Sequence, residues 1–96
     1  MDNRLYLIDL YDLYGELLTD KQQAYFEDYY FDNLTLQEIA ENNDISRNAV
    51  HKQLKEAEDK LNHFENVLKI YEKNKRIKEI CENLNEEYKN KILDIL

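Results

Sequence analysis

Proline is absent from these 96 residues, and glycine occurs once, at Gly15. With the usual breakers missing and no run of β-branched residues, helix is favoured almost everywhere. Cysteine is also single, at Cys81, which excludes an intramolecular disulfide and a zinc cluster built on thiolates. Cys81 has no partner resembling a nucleophile's base, so it is expected to be a half-buried small apolar residue. His51 and His63 stand twelve positions apart without a convergent pattern of cysteines or carboxylates, and no metal site is expected. No glycine-rich phosphate loop, nucleophile motif or distinctively spaced carboxylate pair occurs, so neither enzymatic activity nor a cofactor is expected. No apolar run reaches the length of a membrane span. The start "MDNRLYLID" lacks a basic leader followed by an apolar segment, so a cytoplasmic chain without a membrane span is expected.

Charge is abundant and unevenly placed. The formal net charge is -8, from 13 Lys and Arg against 21 Asp and Glu. Residues 1–45 hold only Arg4 and Lys21 against eleven carboxylates, whereas residues 46–96 hold eleven basic and ten acidic groups. A globally acidic protein is a poor non-specific ligand for nucleic acid, because phosphate attraction supplies most of that affinity. Yet the stretch from Ser46 to Lys55 contains no carboxylate; the next is Glu56.

The helices can be placed from spacing and caps. A first helix is expected over residues 2–18, with Leu7, Leu10, Tyr11, Tyr14, Leu17 and Leu18 on one broad arc and Gly15 loosening its end. Thr19 and Gln22 have capping-box spacing and open a second helix, "DKQQAYFEDYYF". Its Tyr25, Phe26, Tyr29 and Tyr30 form an aromatic stripe, read as core in preference to a base-stacking platform. Thr35 with Glu38 makes a second capping box, opening a third helix that turns Leu36, Ile39 and Ala40 inward. Asn43 and Asp44 tolerate a left-handed backbone and suit a tight turn there.

Ser46 then caps a long fourth helix. On it Leu54, Leu61 and Leu68 fall on one heptad track and Ala57, Phe64 and Tyr71 on the other, the pattern of a coiled-coil seam. Leu54, Leu61, Phe64, Leu68 and Tyr71 are therefore the expected dimerisation residues of a homodimer. The helix is expected to reach about Tyr71, break near Asn74, and be followed by one or two short helices. The basic run "KIYEKNKRIK" reads as a solvated bend in preference to a phosphate-contacting patch.

On a helical wheel at about 100° per residue, Arg47, Asn48, His51, Lys52 and Lys55 share an arc of roughly 140° opposite Val50, Leu54, Ala57 and Leu61. A recognition helix needs this arrangement: Arg and Asn reaching base edges, Lys meeting phosphates, and an apolar back. The positive end of the helix dipole adds to it. A solvated surface helix would show the same charges; the capped two-helix unit and the acid-free first turns favour nucleic acid.

The run "LLTDKQQAYFEDYYFDNLTLQEIAENNDISRNAVHKQLKEAEDKL" resembles region 4 of bacterial sigma factors, in its "LT..Q" opening, its "EIA" helix, its turn ending "IS" and its "V...L" recognition helix. The chain is also similar to the YlxM family of small bacterial helix-turn-helix proteins, through "LYDLYGELLT", "YYFDNLTLQEIAENNDISRNAV" and the long charged C-terminal helix. That resemblance implies a DNA-binding-like domain in a regulator tied to the signal recognition particle. By position it implies base contacts at Arg47, Asn48, His51 and Lys52. The turn position held by glycine in the family is Asp44 here. With no second sigma region, promoter recognition as a sigma factor is not implied.

The expectation is thus an all-α fold: a sigma-region-4-like helix-turn-helix domain over residues 1–60, with a helical, dimerising extension over residues 61–96 in one continuous folding unit. Its function is non-enzymatic nucleic-acid binding and regulation, on DNA or on the RNA of the signal recognition particle, with a protein of that pathway as a further partner. The competing reading is a protein–protein adaptor that keeps the fold without binding nucleic acid.

Overall fold

The computed structural model describes residues 3–96, and among them there are six α-helices and no strand. These are α1 (Arg4–Tyr14), α2 (Asp20–Tyr30), α3 (Leu36–Asn43), α4 (Arg47–Leu68), α5 (Ile70–Cys81) and α6 (Glu86–Leu93). The expected start of the first helix at residue 2 lies outside the described residues. Its end comes earlier than residue 18, at Tyr14, because the chain tightens into a 3-10 turn over Gly15–Leu17. Gly15 has a role other than loosening the helix. It is buried under the Tyr11 ring, and an added Cβ would lie 2.9 Å from that ring.

Both capping boxes form. Thr19 Oγ1 accepts from the Gln22 N–H at 3.2 Å while Gln22 Oε1 accepts from the Thr19 N–H at 3.2 Å. The same Gln22 oxygen accepts from Lys60 Nζ at 3.0 Å, so the buried cap also ties α2 to α4. At α3, Thr35 Oγ1 accepts from the Glu38 N–H at 3.1 Å and Glu38 Oε1 from the Thr35 N–H at 2.9 Å. Removing that hydroxyl strands an N–H at the helix start, so Thr35→Ala is expected to cost about 1 kcal/mol of stability in a denaturant titration. An unchanged midpoint would mean that water replaces the cap without loss.

The core is built around α4, which packs on α1, α2 and α3. Val50, Leu54, Ala57 and Leu61 face inward and are buried against Leu7, Leu10 and Tyr14 of α1, Tyr25, Phe26 and Tyr30 of α2, and Ile39 and Ala40 of α3. The aromatic stripe is core, as its spacing suggests. Phe26 is fully buried between the stacked rings of Tyr11, at 4.4 Å, and Tyr30, at 4.3 Å. Stacking of this kind adds about 0.5–1.5 kcal/mol per pair beyond the area buried. α4 runs unbroken past residue 60, with Leu61 in the same core, so the expected boundary between bundle and extension falls inside one helix.

The break after α4 is at Lys69, not near Asn74, which sits in the middle of α5. Lys69 adopts a left-handed backbone, φ 56°, ending α4 and starting α5 in one residue. A single side chain holds this corner. The buried carboxylate of Glu65 accepts from the Tyr71 N–H at 3.0 Å, the Glu72 N–H at 3.1 Å and the Tyr14 hydroxyl at 2.7 Å. The Tyr14 hydroxyl oxygen in turn accepts from the Ile70 N–H at 3.2 Å. Three orphan donors of the α5 N-terminus are thus satisfied by side chains from α4 and α1. Burial, and then the bond to Glu65, hold the Tyr14 phenol above its ordinary pKa.

From this corner α5 turns back onto α1, with Tyr71 edge-on to Tyr6 at 5.1 Å. α6 packs on α5 and has no buried residue of its own. Cys81 is fully, rather than half, buried. No helix among the described residues is long and apolar enough to cross a membrane.

Candidate nucleic-acid interface

The turn between α3 and α4 is Asp44, Ile45 and Ser46. Asp44 takes the left-handed conformation, φ 54°, at the place where glycine is commoner, and an aspartate tolerates it at modest cost. The Ile45 N–H reaches the Ala40 carbonyl at 3.1 Å, and the Asn43 side-chain amide donates to the Ile39 carbonyl at 2.8 Å. These bonds satisfy the last carbonyls of α3 and fix where α4 begins. Ser46 Oγ then accepts from the Ala49 N–H at 3.0 Å. The short α3 joined to the N-terminal turns of the long α4 by a three-residue turn is a helix-turn-helix unit.

With Val50, Leu54 and Ala57 pinned in the core, the opposite face of α4 is turned to solvent. Arg47, Asn48, His51, Lys52 and Lys55 are all exposed there. They span nine residues, about 12 Å of helix, comparable to the roughly 12 Å width of a B-DNA major groove. The first turn of α4 holds no acidic residue.

The five residues are not equivalent. Lys55 Nζ is bonded to Asp59 Oδ1 at 2.8 Å, and that carboxylate holds the ammonium above its ordinary pKa. Asn48, His51 and Lys52 are bonded to no side chain among the described residues. Deeper on the same side, Tyr30 donates to Glu58 Oε2 at 2.7 Å, and burial followed by this bond pushes the phenol well above its ordinary pKa. Negative charge therefore returns to the surface past the second turn.

Arg4, which no sequence motif marks, shares a cleft with Arg47, Asn33 and Thr35. Its guanidinium donates to the Tyr30 carbonyl at 2.5 Å, the Tyr29 carbonyl at 3.4 Å and Asn33 Oδ1 at 2.8 Å, and lies 5.1 Å from the centre of the Tyr30 ring. A cation on the last carbonyls of α2 opposes the negative end of that helix. It also braces the left-handed Asn33, φ 56°, in the loop that delivers Thr35 to α3. No local motif marks this role, because the partners lie 25 to 29 residues away.

The expected dimer seam is divided. Leu54 and Leu61 are buried by the chain's own α1, α2 and α3 and have no surface to offer a second copy. Phe64 and Tyr71 are half-buried against the same core, and Leu68 is exposed. The inner face of an intramolecular bundle repeats at a/d spacing just as a coiled coil does, so the heptad pattern does not distinguish them. The second basic run is likewise placed differently from expectation. Only Lys69 is at a corner; Lys73, Lys75, Arg76 and Lys78 line the regular helix α5.

The family model described as "Putative helix-turn-helix protein, YlxM / p13 like" (UPF0122) matches residues 1–95. A UPF0122 protein of Malacoplasma penetrans is 49% identical over 88 residues, which is 91% of this chain and 78% of that protein. A UPF0122 protein of Caldanaerobacter subterraneus is 44% identical over 85 residues, covering 88% of this chain and 73% of the relative. One from Ureaplasma parvum serovar 3 is 43% identical over 95 residues, 98% of this chain and 96% of the other.

Proposed function

The chain belongs to the UPF0122 family of YlxM/p13-like helix-turn-helix proteins, and on that premise we propose that it is a nucleic-acid-binding regulator whose α4 enters the major groove of duplex DNA. The observation that carries this reading is the exposed, acid-free basic face on the two turns of α4 that follow the helix-turn-helix corner. In this reading Arg47 and Asn48 meet base edges, His51 sits beside them, and Lys52 meets phosphate. Lys55 contributes less, because it must first leave Asp59. Tyr25, Phe26 and Tyr30 of the aromatic stripe are buried in the core and offer no platform for stacking unpaired bases, which favours a duplex over single-stranded RNA. The link to the signal recognition particle, through its RNA or a protein partner of that pathway in the cytoplasm, rests on the family resemblance. A homodimer would present two recognition helices to successive turns of the duplex.

The acidic N-terminal half predicts weak non-specific binding that fades at moderate salt. Titrations of duplex DNA from low ionic strength test the assignment. Arg47→Ala is expected to lose about 1–3 kcal/mol on a preferred site and little elsewhere. Lys52→Ala should weaken every sequence alike and lower the salt slope by about one, with a smaller change for Lys55→Ala. Negligible binding by the wild type and all variants, on duplex DNA and on the particle's RNA, would instead favour the adaptor reading, which the net charge of -8 supports.

A further inference from the structure

The molecule is 54 Å long and 26 × 25 Å across, and its charge is separated along the chain. α5 and α6 have 12 and 8 residues, at or below the roughly 12–15 residues at which isolated helices become even marginal in water. Yet Cys81 is the one buried residue of the pair. On one side of α5, Lys73 and Arg76 flank Ile77 and the exposed Ile80 in an open apolar groove. Neither cation makes an ion pair with any described residue.

A surface of opposite sign lies on the N-terminal bundle. Asp12, Glu16 and Glu27 surround a groove between α1, the 3-10 turn and α2, with the exposed Leu13 in its wall. Glu27 accepts from the Tyr11 hydroxyl, which keeps the carboxylate at the rim. Glu16 makes no ion pair with any described residue, and Asp12 makes none either, although it shares a cleft with Lys75 and Lys78 of α5. Each groove thus supplies what the other lacks, namely countercharge around an apolar strip.

We propose that a second copy of this chain covers both: the basic–apolar face of α5 in one protomer docks on the acidic groove of its partner's N-terminal bundle, and a two-fold axis repeats the contact. Such an isologous pair closes after two copies and leaves α4's basic face outside the contact. The proposal deepens the homodimer reading by replacing the heptad seam with these surfaces, and it is independent of whether α4 binds nucleic acid.

Sedimentation of the full chain, with far-UV circular dichroism as the folding control, tests it through charge reversals at exposed positions, Lys73→Glu/Arg76→Glu in one variant and Glu16→Lys in the other. The wild type should be a dimer at low ionic strength that dissociates as salt is added. Each variant alone should weaken dimerisation by more than about tenfold, since like charges then face each other. Mixing the two variants should restore the dimer, because both contacts of the mixed pair regain opposite signs. A dimer indifferent to either reversal, or a mixture that stays monomeric, would overturn the assigned surfaces alone. A wild-type monomer at high protein concentration would overturn the dimer itself, and duplex titrations of the same variants would still report on α4 separately.

Discussion

Glu65→Ala is expected to lose on the order of 3–5 kcal/mol of stability: three donors lose a charged acceptor, each such bond is worth about 1.5–3 kcal/mol, and water entering the corner recovers part of that sum. The Tyr71 and Glu72 amides and the Tyr14 hydroxyl all converge on this carboxylate. Glu65→Gln should recover part of the loss. One amide oxygen can still accept, but the –NH2 group would face an N–H at the second position. The damage should be local before it is global. Hydrogen exchange in α5 and α6 should speed up more than exchange in α2 and α3, because the corner at Lys69 is what docks α5 on α1. A uniform change across all six helices, or a loss below 1 kcal/mol, would mean that the corner is held by the apolar contacts of Tyr71 and not by the carboxylate.

Leu61→Ala is expected to cost about 2–5 kcal/mol, the range for truncating a buried leucine that leaves a cavity. Leu61 is 0% exposed within the chain, whereas Leu68, one heptad later, is 43% exposed. Leu68→Ala should therefore cost far less, and the penalty at Leu61 should not vary with protein concentration. A coiled-coil seam makes the opposite forecast: similar costs at both positions, growing on dilution. Denaturation midpoints of the two variants at two protein concentrations decide between them.

The features legible in the sequence were those whose partners are close in the chain. Thr19 with Gln22, Thr35 with Glu38, and Ser46 before Ala49 each close a hydrogen bond across three residues, so spacing and residue type were enough. The turn at Asp44 was legible for the same reason, as aspartate is among the few non-glycine types that accept a left-handed backbone. The outward face of α4 followed from its inward one. Glu65 was not legible, because its hydroxyl donor, Tyr14, is 51 residues away and a lone glutamate on a charged helix reads as solvated. The break at Lys69 depends on that same carboxylate; lysine itself gives no sign of a positive φ. Arg4 was not legible because its partners come from the end of α2 and the loop beyond. Lys55 was half legible: an i,i+4 pairing with Asp59 can be read from spacing, but whether the ammonium is held or free is decided by geometry.

In the proposed function the N-terminal turns of α4 are the nucleic-acid surface. Amide chemical-shift mapping of the full chain against duplex DNA at low ionic strength tests it most directly. Shifts should concentrate between Ser46 and Lys55, with smaller changes at Thr35 and along the loop braced by Arg4, and should fade as salt is added. Shifts confined to α5 and α6, or none at concentrations where duplex is in excess, would contradict it.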